Sequence, residues 1–143
     1  ILVRWIVRDD DEQTLIVILV RWIVRDDDEQ TLIVGKLLAK HVNQHSSLFV
    51  PITVALELEW VLRSRYKFKK PEVLSALSAL LMTFELVFES EGALEQSLAT
   101  YEDSRGADFA ECLHLALATK EKALPFLTFD ISAANEEGAK LLK

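Results

Sequence analysis

Residues 1–17 read ILVRWIVRDDDEQTLIV, and residues 18–34 repeat them letter for letter. Two identical segments joined head to tail cannot both fill one structural place. A natural repeat drifts, and a solenoid needs about three units to bury a core. Nothing similar follows downstream. The duplication therefore reads as an artefact of how the chain was assembled, and a single domain is expected over 18–143. There is no initiator Met at residue 1, so the natural start is expected to be missing. Removing one copy takes away two Arg, three Asp and one Glu, and the chain stays acidic.

The 143 residues suit one domain better than two. Only four Gly and three Pro argue against a turn-rich all-β protein and for long helices. A net charge of −7 excludes a broad basic surface that holds nucleic acid by charge alone. A nucleic-acid role then needs a local basic patch or a bound cation. No run of about 20 apolar residues predicts a membrane span. The single Cys112 excludes an internal disulfide and fits a reducing compartment. The apolar opening lacks a basic leader, so no signal peptide is expected and the location is read as cytoplasmic.

Short apolar runs alternate with helical patterns. Leu15 to Val20 reads as a buried strand created where the copies abut. A helix is expected from Glu29 to His41, with Leu32, Val34, Leu37 and Leu38 inward and the acids Asp26 to Glu29 at a solvated entrance. Leu48-Phe49-Val50 reads as a strand ended by Pro51. A helix from Thr53 to Tyr66 follows, with Thr53 a plausible N-cap. Pro71 opens a helix over 71–83. Phe84 to Phe88 is β-prone, and Glu91 to Glu102 is helical up to the break at Ser104-Arg105-Gly106. Further expected elements are a helix from Ala107 to Lys122, a strand over 124–129 and an amphipathic helix from Ile131 to Leu142. The pattern predicts an α/β fold with a short parallel sheet covered on both faces. Ligands of such sheets sit beyond the carboxyl ends of the strands.

Acids in apolar company are the informative residues. Val54, Leu58, Val61 and Leu62 form one helical stripe. Glu57 lies beside it and Glu59 away from it, so Glu57 is expected to face a cleft and Glu59 solvent. A rim carboxylate paired with Arg65 or a Lys is the plainer role for Glu57. Asp108 and Glu111 are the only formal charges between Gly106 and Lys120, and they share the first turns of a helix that is apolar almost all round. Dipole compensation needs one acid; two at a buried end repel unless a cation sits between them. Asp130 ends a predicted strand, as the N-cap of the next helix or as a ligand at the same sheet edge. Oxygen-only donors from several elements suit Mg²⁺ or Mn²⁺ rather than zinc. His114 reads as a packed histidine. His41 and His45 lack partners for zinc, and Cys112 lacks a nucleophile's set. No phosphate-binding Gly loop is present.

These residues resemble a known family. Phe49-Val50-Pro51-Ile52-Thr53 followed by Leu56-Glu57-Leu58-Glu59-Trp60-Val61-Leu62-Arg63-Ser64-Arg65-Tyr66 is similar to the second strand and acidic helix of PIN-domain ribonucleases, especially the VapC-type toxins. Gly106-Ala107-Asp108-Phe109-Ala110-Glu111 resembles the third acidic motif, with Glu where Asp is usual at the last place. Thr128-Phe129-Asp130 resembles the last acidic motif. Ile18-Leu19-Val20-Arg21-Trp22, with Asp26, Asp27 and Gln30, resembles the region after the first motif. The resemblance covers about 18–143 and implies a three-layer α/β/α sandwich. It implies an endoribonuclease dependent on Mg²⁺ or Mn²⁺ that is the toxin of a toxin–antitoxin pair, blocked by a small antitoxin protein and commonly a homodimer. Carried over, Glu57, Asp108 and Asp130 match the metal-binding acids, with Glu111 a variant auxiliary position among the catalytic residues.

The family's first motif, Asp-x-Asn, belongs immediately before Ile-Leu-Val-Arg. Leu15-Ile16-Val17 stand before Ile18, so the first acid is missing there and activity is expected to be impaired. The alternative is a non-catalytic PIN-like module that binds a partner helix. Arg63, Arg65, Lys67, Lys69 and Lys70 form a basic stretch that either holds RNA phosphates or is a solvated helix end.

Overall fold

A computed structural model describes residues 3–5, 12–25, 27–43 and 46–143. Asp26 and His45 lie outside them, as do the side chains of Leu38 and His41. The chain divides into two compact units, Ile1–Glu89 and Ser90–Lys143.

In the first unit, β1 (Val3–Trp5), β2 (Ser46–Val50) and β3 (Leu86–Phe88) form a parallel sheet in that order. Register runs Val3 to Ser46 and Leu48 to Leu86. The crossovers are helical: α1 (Glu12–Val24) and α2 (Asp28–Asn43) before β2, then α3 (Ile52–Ser64) and α4 (Lys70–Leu81) before β3. The second unit holds α5 (Glu91–Asp103), α6 (Phe109–Lys120), β4 (Phe126–Thr128), α7 (Ile131–Ala134) and β5 (Ala139–Leu141), with β4 and β5 parallel. The expected α/β class with short parallel strands is what the chain adopts.

The two 17-residue copies take different structures. Val3-Arg4-Trp5 is strand in the first copy, whereas the identical Val20-Arg21-Trp22 is helix in the second. Surroundings decide between them, because local propensity is the same for both. The expected strand over Leu15 to Val20 is therefore corrected to helix. Leu15, Ile16, Leu19 and Val20 are buried while Val17 is exposed, a spacing only a helix satisfies. Arg25 ends α1 in the left-handed region at φ 55, stacks over the Trp22 ring at 4.2 Å and donates from Nε to the Trp22 carbonyl. Asp27 then accepts from the Gln30 N–H at 3.0 Å, the solvated helix entrance expected of the acidic run. Val34 is buried as expected, but Leu32 is exposed, against the sequence reading.

Helix α3 buries Val54, Ala55, Leu58 and Leu62. Its N-cap is Pro51 rather than Thr53, which stands inside the first turn. Pro51 suits that place because it has no N–H to satisfy. Helix α4 begins with Pro71 in its first turn, and Glu72 accepts from the Lys69 N–H at its start.

The expected final helix over Ile131 to Leu142 is the largest departure. Helix α7 stops at Ala134, and residues 139–141 pair with β4. Gly138 makes the reversal at φ +89, a conformation other residues adopt at a cost. A Cβ there would stand 3.4 Å from Leu115 and Leu124. Gly138→Ala is expected to cost about 1–2 kcal/mol, offset in part by a less flexible unfolded chain. Urea unfolding of the two proteins side by side measures it, and equal midpoints would contradict the left-handed turn.

Candidate active site

Three carboxylates meet in the second unit. The loop before α6 is organised by Ser104, a buried hydroxyl that accepts from the N–H groups of Gly106 at 3.3 Å and Ala107 at 2.9 Å. This turn carries Gly106 against α7. A Cβ on Gly106 would lie 2.7 Å from both Cβ and Oγ of Ser132, so only glycine permits the approach. The start of α6 and the start of α7 are thereby brought together.

Asp108 is the N-cap of α6. Its Oδ1 accepts from the Glu111 N–H at 2.8 Å, and Glu111 Oε2 accepts in return from the Asp108 N–H at 3.1 Å. This is a capping box, and it satisfies two of the helix's otherwise unpaired N–H groups. Asp130 caps α7, its Oδ1 accepting from the Ala133 N–H at 3.0 Å, while its own N–H donates to Thr128 Oγ1. The capping roles weighed in the sequence for Asp108 and Asp130 are therefore both real. They do not exhaust these residues, because Glu111 and Asp130 also share a side-chain hydrogen bond. Partial burial holds the Glu111 carboxyl above its ordinary range. The Asp108 N–H works against this, and the charges of Asp108 and Asp130 and the shared hydrogen bond add to it.

Behind the cluster α6 is anchored by Phe109, Cys112, Leu113, Leu115 and Ala116, all buried, as its near-continuous apolarity predicted. Phe109 meets Tyr101 of α5 edge-on at 5.9 Å between ring centres. The buried Cys112 belongs to this packing. His114 departs from the sequence reading: it is exposed, its ring lying 6.4 Å from that of Phe126. A cleft of about 420 Å³ opens beside Gly106 and Ser132, lined also by Arg105, Asn135 and Glu136.

Glu57 belongs to the first unit. It is half-buried on α3, on the wall of a cleft of about 250 Å³ shared with Arg21, Trp60, Arg65 and Tyr66. Cleft-facing placement is what the stripe predicted for it. The same reading fails for Glu59, which is 2% exposed rather than solvent-facing. The reason is Arg63, one turn on, whose Nε donates to Glu59 Oε2 at 2.9 Å and whose Nη2 reaches Oε1 at 3.5 Å. A buried carboxylate needs such a partner. The hydrophobic stripe said nothing of this pair; the i, i+4 spacing of Glu59 and Arg63 was the available signal. Ser104 and Ser132 were likewise missed as positioning residues, and Gly106 was read only as a helix breaker.

No group of three or more Asp, Glu, His or Cys side chains is arranged to hold a metal ion among the described residues. The donors of the second-unit cluster are nonetheless oxygen-only, the chemistry that suits Mg²⁺ or Mn²⁺. One oxygen of each carboxylate is spent on a backbone N–H.

The model of the PIN domain family matches residues 17–135. The chain belongs to the PIN-domain family. The match covers most of the chain and begins one residue before the second copy of the repeat. No curated protein is significantly similar to it. PIN domains are generally metal-dependent nucleases, so hydrolysis of nucleic acid is the activity class to which this PIN domain's family points. No helix among the described residues is long and apolar enough to cross a membrane.

The shared hydrogen bond makes a direct prediction for the metal-free protein. In Asp130→Asn the Glu111 carboxyl should titrate at lower pH than in the parent, because a like charge is lost and the new amide can donate to the carboxylate. Asn caps a helix about as well as Asp, so α7 should survive. Carbon-detected NMR of the glutamate carboxyls reads the shift; an unmoved Glu111 resonance would break the link between the two residues.

Proposed function

We propose that this PIN domain is a divalent-metal-dependent endoribonuclease and the toxin of a toxin–antitoxin pair. The observation that carries the nuclease reading is the cluster of Asp108, Glu111 and Asp130 at two helix starts. Glu57, Asp108 and Asp130 are the proposed ligands of Mg²⁺ or Mn²⁺, with Glu111 auxiliary. When bound, the ion acidifies a water and offsets negative charge on the phosphate. The protein's own contribution is positional. The capping bonds fix one oxygen of Asp108 and of Asp130, and the other oxygen of each is the proposed donor. Glu111 lies under the like charges of Asp108 and Asp130, and a cation in that place would supply the compensating charge. The domain is proposed to extend over 18–143, with 1–17 as a duplicated segment. A small antitoxin protein, a homodimer and a cytoplasmic location complete the reading.

One observation favours the non-catalytic alternative. The family's Asp-x-Asn should stand before Ile18, but Leu15-Ile16-Val17 stand there and belong to α1. A ligand set short of one carboxylate holds its cation loosely, and metal catalysis depends on fixed coordination.

The protein as it stands should therefore cleave RNA poorly. Replacing residues 1–17 by a strand ending in Asp-x-Asn should raise divalent-dependent cleavage by at least about 100-fold, on the scale of losing a well-placed catalytic group. Asp108→Asn or Glu57→Gln in the restored protein should return it to background. Cleavage of labelled RNA with and without EDTA measures this. Activity that persists in EDTA or survives both substitutions would favour the interaction module.

A further inference from the structure

The cleft beside Glu57 carries chemistry that a metal ligand alone does not require. Its walls bring together two guanidinium groups, Arg21 from α1 and Arg65 just past α3, and two aromatic side chains, Trp60 and Tyr66. Arg21 Nη1 lies 3.5 Å from the Tyr66 hydroxyl, which ties the two sides of the cleft together. Ile16, Val17, Val20 and Val61 supply the apolar remainder. Trp60 is 50% exposed, a large aromatic surface left open at the mouth. Among the described residues, two arginines, Arg21 and Arg65, and one carboxylate, Glu57, line this cleft.

We propose that this cleft is a nucleotide subsite for single-stranded RNA, with Arg21 and Arg65 on a phosphate and Trp60 stacked on an unpaired base. The assignment rests on the nuclease reading above and deepens it, placing the nucleotide next to Glu57. Guanidinium forks match phosphate oxygens. An indole face takes any base without reading its sequence, provided the base is unpaired. A duplex buries its bases in the stack and cannot use Trp60. An acidic peptide would satisfy the arginines but leave the indole without a planar partner, so RNA is the better fit. Arg21 and Arg65 are positioning residues here.

The test uses the full chain in EDTA, where binding is read without cleavage. Anisotropy of a fluorescent ten-nucleotide RNA should show saturable binding that weakens as salt rises. Arg65→Gln should weaken it and lower the salt slope by about 1, since one phosphate contact is lost. Trp60→Ala should weaken it at least about fivefold, as loss of one stacked base does. Trp60→Phe keeps a stacking face and should retain most affinity, which also covers the case in which the alanine variant misfolds. Lys36→Gln, an exposed residue of α2 outside the cleft, removes the same charge and should change little. The proposal is overturned if Arg65→Gln and Lys36→Gln weaken binding equally, or if duplex RNA binds as tightly as the single strand. It is also overturned if a poly-glutamate peptide displaces the RNA at equal charge concentration and Trp60→Ala has no effect on either. Binding that follows these expectations while the restored protein fails to cleave would sink the nuclease reading and leave the subsite standing.

Discussion

The close approach of Gly106 to Ser132 is the constraint on which the candidate site depends. Helix N-termini attract negative charge because their first N–H groups lack partners. One such end takes one acid comfortably. Here the missing Cβ of Gly106 lets two ends meet, and their caps arrive with Glu111 beside them. The folded chain thus holds like charges together, and the proton affinity of Glu111 is raised first by its partial burial and then by the charges of Asp108 and Asp130. Helix α6 can sustain it because its other faces are anchored in apolar packing around Phe109 and Leu113.

The same economy of partners explains the first unit. Glu59 is buried with Arg63, so its charge is spent within α3, while Glu57, two residues earlier, is left on a cleft wall. Two carboxylates on one helix therefore have different chemical futures. The duplicated segment makes a related point about context. Val-Arg-Trp is strand at residues 3–5 and helix at 20–22, so the neighbours, and not the tripeptide, choose.

Much of the fold was legible in the sequence. Pro71 announced the start of α4, and the apolar stripe of Val54, Leu58 and Leu62 announced the buried face of α3. Asp108 and Glu111 stood out as the only charges on a helix expected to be buried, and Asp130 as the end of a predicted strand, and the structure brings these three together. Placing Glu57 with them remains part of the proposal. What failed had identifiable causes. Leu15 to Val20 is β-branched and apolar, and such a run does not reveal its period until its burial is known. Residues 131–142 carry a helical pattern, yet Gly138 in the left-handed region turns the chain into β5. Glu59 was misplaced because hydrophobic periodicity carries no information about ion pairs. The role of Gly106 as a contact rather than a breaker required knowing what lies opposite it.

The proposed role of the second-unit carboxylates is to supply oxygen donors to a divalent cation. Mn²⁺ titration of the full chain, followed by the electron paramagnetic resonance signal of the free ion, tests it most directly. Asp108→Asn with Asp130→Asn keeps both helix caps and removes two of the charges, so folding should be preserved. The account predicts weak saturable Mn²⁺ binding to the parent protein and its loss in the double variant. Superimposable isotherms for the two proteins would contradict it.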